Sequence, residues 1–369
     1  MDVLIAGAGV GGLALTHGLR QRGHRVRVLE AAAGLRRGGA GVTIFSNGHA
    51  ALAGLGVSLD GLGGRMTGLR LRTAEGRGVV RADLRMLRGP VRVIAREQLV
   101  DRLAEGLPDD VIRFDTPVTD VRTGDGRVVA LDASGAEHEA DVLVGADGYR
   151  SAVRRAVLDP APAADVGWST WQGLGPLLPD LARGTTGELI VGDAGLVGLL
   201  PAGDGLLQWW FDTRWTGDDP PSPSAMLRDR FATYAEPVPA LLASVTDADI
   251  GRYPHVLHRV GDRWGSGAAT LLGDAAHAFP PTQAQGANQA LEDAWLLART
   301  LTDPAADSLR RYERVRARRA GLVSRLAARE GVNQPPPRWM GPLLSALPPR
   351  LVGLAYRAQI RRFSDVRAG

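Results

Sequence analysis

Val3-Leu4-Ile5-Ala6-Gly7-Ala8-Gly9-Val10-Gly11-Gly12 places four apolar residues directly before four glycines in ten positions. The apolar run is the length and texture of a buried strand. The glycines follow as Gly-x-Gly-x-x-Gly. Gly7 permits a tight turn, Gly9 lets the backbone approach a pyrophosphate, and Gly12 lets a following helix pack close to the strand. From Val10 to Arg22 the pattern is helical, with Leu13, Leu15 and Leu19 on it, and Gly23-His24 ends it. Val26 to Leu29 is a second strand that ends at Glu30. A helix start in this position presents free N–H groups to phosphates. An acidic residue where Glu30 stands accepts hydrogen bonds from ribose hydroxyls. The stretch therefore predicts a dinucleotide site, without saying which dinucleotide.

Outward from this unit, residues 68–82 read as a hairpin turning at Glu75-Gly76, and 96–106 as a helix. Residues 111–145 hold short strands, the last of them Asp141 to Val144. Between 166 and 261 the texture changes: Trp168, Trp171, Trp209, Trp210 and Trp215 fall here, five of the chain's eight tryptophans. Alternation in 188–191 and 206–211 predicts an antiparallel sheet. Buried-strand texture returns at 269–272, and a helix follows over 288–302. The expected fold is α/β: a Rossmann-like nucleotide-binding domain, an inserted, mostly antiparallel β-sheet substrate domain, and a C-terminal helical segment. The expected boundaries are 1–67, 95–165 and 262–325 for the first, 68–94 and 166–261 for the second, and 326–369 for the third.

Composition removes several chemistries. The chain has 369 residues, 44% hydrophobic, and no cysteine. Disulfides, thiolate metal sites, cysteine nucleophiles and cysteinyl-flavin bonds are excluded, and no metal site is expected. No lysine occurs either, so every basic side chain behind the +4 charge is arginine. No run of about 18 apolar residues is present, so no membrane span is expected. A strand begins at once and no basic, cleavable leader precedes it, which predicts a cytoplasmic protein. No basic run interleaved with aromatics suggests nucleic acid.

Two later segments choose the dinucleotide. Asp141 to Arg154 runs from a strand into Gly145-Ala146-Asp147-Gly148 and a helix start with Ser151 and Arg154. Gly273-Asp274-Ala275-Ala276-His277 ends another strand and is followed by Pro280-Pro281 and Gly286-Ala287-Asn288. A carboxylate at a strand end can hold a ribityl or ribose hydroxyl, and a glycine-bearing helix start can offer N–H groups to flavin oxygens. With the opening turn, these motifs resemble, in order, those of the single-component FAD-dependent aromatic hydroxylases of the para-hydroxybenzoate hydroxylase type. The resemblance spans nearly all of residues 1–325, and Leu309, Tyr312, Arg316 and Arg319 fit its trailing helix.

The resemblance implies a site. FAD, bound non-covalently, is held by Gly7, Gly9, Gly12, Glu30, Arg37 or equally Arg36, Val42, Arg96, Asp147, Asp274, Gly286, Ala287 and Asn288. Asp147 reads equally as a residue that bridges segments of the fold. Pro281 lies near the flavin's reactive centre. NADPH or NADH visits as a transient reductant, and O2 reacts to a flavin C4a-hydroperoxide that hydroxylates a small aromatic substrate or another electron-rich small molecule. Trp209, Trp210 and Gln283 are weak substrate candidates, and alternation allows only one of the two tryptophans on the pocket side. His255, His258, Tyr253 and His277 are candidate bases, with none assigned. Gln283 and Ala284 depart from the family, which often has two glycines there. A flavin-dependent halogenase is disfavoured, because such enzymes use a lysine. A related FAD reductase or dehydrogenase without oxygen insertion, and a flavin-free binding protein on the same fold, remain as alternatives.

Overall fold

The structure is a computed structural model that describes residues 1–36, 38–124, 126–330, 333–334 and 349–364. Its opening stretch is the strand Asp2–Ala6, a turn, and the helix Val10–Arg20. Gly7 takes φ +101°, where a side chain is strained. Its amide donates to the Leu29 carbonyl at 2.7 Å, tying the turn to the neighbouring strand. That strand, Arg25–Leu29, runs parallel to the first with Val26 opposite Val3.

The parallel sheet has five strands, in the order Ala269–Leu271, Val142–Gly145, Asp2–Ala6, Arg25–Leu29 and Ile112–Arg113. Its three central and edge strands Asp2–Ala6, Val142–Gly145 and Ala269–Leu271 are almost wholly buried, and a three-stranded antiparallel sheet of Val118–Gly124, Arg127–Asp132 and Glu137–Ala140 shares their core through Val128, Ala130 and Ala140. Helix Gly286–Thr300 packs on helix Val10–Arg20 at close range. A Cβ added at Gly18 would stand 2.7 Å from that of Ala298. The helix begins at Gly286 rather than 288, at an end where glycine's poor propensity matters little because the first amides have no intrahelical partner. The helix expected over 96–106 closes at Ala104, and Gly106 beyond it is left-handed at φ +74°.

A seven-stranded sheet carries the second layer, in the order Gly251–Leu257, Ala164–Gly175, Leu206–Arg214, Gly195–Gly203, Thr186–Gly192, Gly68–Thr73 and Gly78–Asp83. All its pairings are antiparallel except Thr186–Gly192 with Gly68–Thr73. The chain is thus α/β, with a mostly antiparallel sheet inserted between segments of the parallel one. One face of the inserted sheet buries Trp171, Trp209 and Phe211 against Leu227 and Phe231 of the helical stretch that follows it, and against Leu241. Full burial of a side chain such as Phe211 contributes roughly 1.5–3 kcal/mol. The opposite face sends Leu174, Leu200, Trp210 and Leu257 into a core shared with Phe45, Phe279, Val323 and Phe363. That shared core holds the second sheet against the nucleotide-binding part and the C-terminal helices Ala305–Ala327 and Pro349–Ser364. Among the described residues, no helix is long and apolar enough to cross a membrane.

Candidate active site

At the glycine turn, two positions differ in kind. A Cβ at Gly12 would stand 2.1 Å from the Gly7 carbonyl oxygen, a backbone atom that cannot step aside. A Cβ at Gly9 would meet nothing within 4 Å, so open space lies over this residue. Glu30 is buried, and its carboxylate accepts from the Ala8 amide at 2.7 Å and the Ala32 amide at 2.9 Å. It therefore fixes the turn as well as facing it. A carboxylate has about four acceptor sites, so about two stay available to a ligand. Arg36 is exposed, with Nε 3.8 Å from Glu30. Arg37 lies outside the described residues.

A second group of residues gathers around Gly39 and Asp274. Gly39 is at φ +119°, and a Cβ there would touch Cδ of Arg96 at 3.0 Å. Val42 follows in the strand Gly41–Ile44, paired with Ile94. The Arg96 Nε is buried and has no partner within the protein. The Asp274 side chain is reachable from open space yet hemmed in by protein. That desolvation holds its carboxyl above the ordinary range, although His277 and Arg96 pull the other way.

Asp293, which the sequence reading missed, sets the Asp274 turn. Its carboxylate accepts from the Gly273 amide at 2.8 Å and from Arg316 Nε at 2.5 Å, and it meets His277 Nε2 at 2.7 Å. Burial alone raises this carboxyl, but Arg316 and His277 outweigh it, and it sits below the usual carboxylate range. The available signal was Glu292-Asp293 inside an apolar helix, with Arg316 and Arg319 one helix later. His277 is thereby a structural residue of the turn rather than a base.

Two expected ligand residues have other work. Asn288 is fully buried, and its side chain is spent within the protein. It accepts from the Phe45 amide and donates to the Thr43 and Ala284 carbonyls. Only its backbone N–H, with those of Gly286 and Ala287, stands in the first turn of the helix, ahead of the bond from Gln289 to Gln285. Asp147 accepts from the Ser151 hydroxyl and the Ala152 and Val153 amides, so its carboxylate caps the next helix, Ala152–Val157. All three partners lie within six residues of Asp147, so these contacts are a local cap and not a bridge between distant segments. Pro281 is exposed and Gln283 half-buried in the single turn Pro281–Gln283. Ala284 follows at φ +49°, the left-handed conformation for which glycine is the usual residue.

On the inserted sheet, Trp209 is 1% exposed in the core on the far face, which removes it as a substrate contact. Alternation then puts Trp210 on the opposite face, where it is half-buried. Its indole lies flat across Gly198, where a Cβ would stand 2.1 Å from the ring. Gln208, on the same face, donates to the Gly41 carbonyl at 3.1 Å, which ties this face to the strand of Val42.

Beside Trp210 lies a buried ionic group. His255 is fully buried, with Nδ1 2.7 Å from Glu330 and Nε2 3.4 Å from Asp212. Burial disfavours its charge, but hydrogen bonds to Asp212 and Glu330 outweigh that and raise its pKa to about 9. The folded value thus exceeds the unfolded one of about 6.5. The stabilisation is complete below about pH 6.5 and is lost as pH rises through 9. We expect the melting temperature to fall by roughly a few degrees across that window. His255→Gln should remove this slope; an identical slope in the variant would assign it to another group. His258 meets the Tyr149 carbonyl at 3.0 Å, and burial lowers its pKa.

Residues 1–327 match the family model described as FAD binding domain.

The chain belongs to this FAD-binding family.

It is 36% identical over 334 residues to the aurachin C monooxygenase/isomerase of Stigmatella aurantiaca, covering 87% of this chain and 86% of that protein. It is 30% identical to the chloroplastic zeaxanthin epoxidase of Nicotiana plumbaginifolia, with 89% of this chain aligned but only 54% of that longer protein. The structure of Klebsiella pneumoniae HpxO complexed with FAD and uric acid superimposes with a TM-score of 0.83 at 25% identity, over 98% of this chain and 92% of that one. The protein is an FAD-dependent monooxygenase. Its residues suit FAD: open space over Gly9, an unpartnered Arg96 Nε and an accessible Asp274 carboxylate are groups that a flavin dinucleotide can complete. Asp274→Ala is expected to weaken FAD retention roughly ten- to a hundredfold, as loss of a charged hydrogen bond does. Flavin absorbance after dialysis measures it, and unchanged occupancy would move the cofactor away from this turn.

Proposed function

We propose that this monooxygenase hydroxylates a small aromatic molecule, drawing electrons from NADPH or NADH that visits transiently. The observation that carries the reading is the closeness of two surfaces: the Gly39–Val42 segment with Arg96, and the Trp210 face of the inserted sheet, joined through Gln208. The cofactor residues would be Gly7, Gly9, Gly12 and Glu30 at the dinucleotide turn, then Arg96, Asp274 and the amides of Gly286, Ala287 and Asn288. The segments 1–67, 95–165 and 262–325 would form the flavin-binding domain, with 68–94 and 166–261 as the substrate domain.

When bound, the flavin supplies the redox chemistry that activates O2. The chain's own part is to bind, orient and exclude water. Trp210 offers an aromatic face for stacking. Phe45 and Phe279, in the core between the two layers, keep that side dry. Of the four candidate bases, each of the three histidines has one ring nitrogen or both engaged within the protein, while the buried Nδ1 of His277 has no partner there. Tyr253 is 37% exposed, and its hydroxyl would lie 3.6 Å from a Cβ at Gly39. For the reductant, a cleft of about 470 Å³ beside Asp147 is lined by Arg150, Arg154, Arg155 and Tyr149. Its positive charge suits an anionic nucleotide.

The test is NADPH and NADH oxidation by the purified holoenzyme against a panel of aromatic compounds, with products weighed by mass spectrometry. The expected product is one oxygen heavier than its substrate. Turnover without such a product would favour the reductase or dehydrogenase alternative.

A further inference from the structure

The wall of the proposed substrate cleft has an unusual charge balance. Register places Thr170 opposite both Asp212 and Tyr253, and Gln172 opposite Trp210. Side chains at paired positions share a face, so all of these belong to the Trp210 side. Asp212, His255 and Glu330 are 3%, 0% and 5% exposed. Nδ1 of His255 is 2.7 Å from Glu330, and Nε2 is 2.8 Å from the oxygen of the Thr170 hydroxyl, which donates its own proton to Asp212, 3.4 Å from Nε2. Only the imidazolium can donate from both nitrogens. One positive charge thus stands between two negative ones, and the group carries a net charge of −1.

The remaining partners do not cancel it. Asp212 accepts from the Thr170 hydroxyl and from Trp210 Nε1 at 3.1 Å, and Glu330 accepts from Asn333 Nδ2 at 2.6 Å. All three donors are neutral. Among the described residues, no arginine pairs with either carboxylate. Arg252, on the same strand as His255, sits over Trp171 on the far face at 5.5 Å from its ring, and bonds Asp219 at 2.8 Å. The excess negative charge therefore lies immediately behind the Trp210 indole, away from screening salt.

We propose that the Asp212–His255–Glu330 group is a charge filter that favours neutral aromatic substrates over aromatic carboxylates and phenolates. The inference rests on the reading that the Trp210 face lines the substrate cleft. Glu330, just beyond the long C-terminal helix, is the specificity-determining residue least visible from the cleft. The carboxamides of Gln172 and Gln208 on this face are likewise neutral, suited to carbonyl and N–H groups rather than to a carboxylate.

The test uses the FAD-loaded enzyme and a matched pair of probes, 2-naphthamide and 2-naphthoate, titrated by the change in flavin absorbance. A unit charge behind the wall should favour the amide by roughly tenfold or more. Glu330→Gln and Asp212→Asn each remove one negative charge, and each should narrow that ratio by about fivefold. FAD content and melting temperature identify a variant that fails to fold, and the other variant then carries the test. Tighter binding of the naphthoate, or a ratio unmoved by both substitutions, would overturn the filter while leaving the cleft where it is proposed. A flavin spectrum moved by neither probe would instead overturn the placement of the cleft, and the filter with it.

Discussion

Arg316→Ala is expected to cost about 3–5 kcal/mol of folding stability, the range for breaking a buried ion pair from one side. Arg316 is 3% exposed and fully committed. It donates to Asp293 at 2.5 Å, to Glu292 at 2.6 Å, and to the Gln289 carbonyl and side-chain oxygen at 3.1 and 2.8 Å. Alanine leaves two carboxylates in the interior. Glu292 keeps Arg319, at 2.6 and 2.8 Å, but Asp293 keeps only His277 and the Gly273 amide. The melting temperature should fall by roughly 4–6 °C. The pH dependence has a definite sign. The Asp293 carboxyl is below its usual range, so its contribution is complete above about pH 4 and lost only as pH falls through the folded value. Arg316→Ala should forfeit that contribution at neutral pH. Because Asp293 also holds the Gly273 amide, FAD retention should weaken with stability. The double variant Arg316→Met with Asp293→Asn should recover part of the loss, since it removes the stranded charge. A shift of under about 2 °C in Arg316→Ala would mean that water reaches this site.

The second large effect separates folding from cofactor binding within one turn. Gly9 is in an extended conformation, at φ −77° and ψ −177°, that any residue adopts. Open space surrounds its would-be Cβ. Gly9→Ala should therefore leave the melting temperature of the FAD-free protein nearly unchanged. Its methyl group would project into the space over the turn, and FAD affinity should drop by about a hundredfold or more, through lost backbone approach to the pyrophosphate. Gly12→Ala differs, because its methyl group would stand 2.1 Å from the Gly7 carbonyl oxygen. That clash should lower both stability and FAD content. Melting curves with and without FAD, beside flavin fluorescence titration, distinguish the two. Equal behaviour of the two variants would refute the division of labour assigned to these glycines.

Legibility in the sequence followed the range of the interaction. The glycine turn, the second strand and Glu30 lie within 30 residues, and their chemistry is local: a left-handed Gly7, a steric limit at Gly12, a carboxylate at a strand end. Asp274 was visible for the same reason. Trp209 and Trp210 were half legible. Alternation required that they part, but which one meets the nucleotide-binding layer depends on which face of the sheet that layer covers. Asn288 and Asp147 were recognised as important, while the use of their side chains was not. The Asn288 partners Phe45 and Thr43 become neighbours only after the chain is packed, whereas the Asp147 partners Ser151 and Val153 are local and make a helix cap.

By itself, then, the sequence determined an α/β protein with a dinucleotide turn at Gly7 to Gly12, a flavin-type acidic turn at Asp274, and no lysine or cysteine for alternative chemistries. Those features rest on backbone conformation and residue type, which are local properties. Tertiary structure alone decided that Asp293 and Arg316 hold the Asp274 turn, that Trp210 faces the nucleotide-binding layer, and that Asp212, His255 and Glu330 meet behind it. Asp212 and Glu330 are 118 residues apart in the chain. An interaction between buried charges depends on distance and desolvation, and neither exists until the two sheets and the C-terminal helix have closed around them.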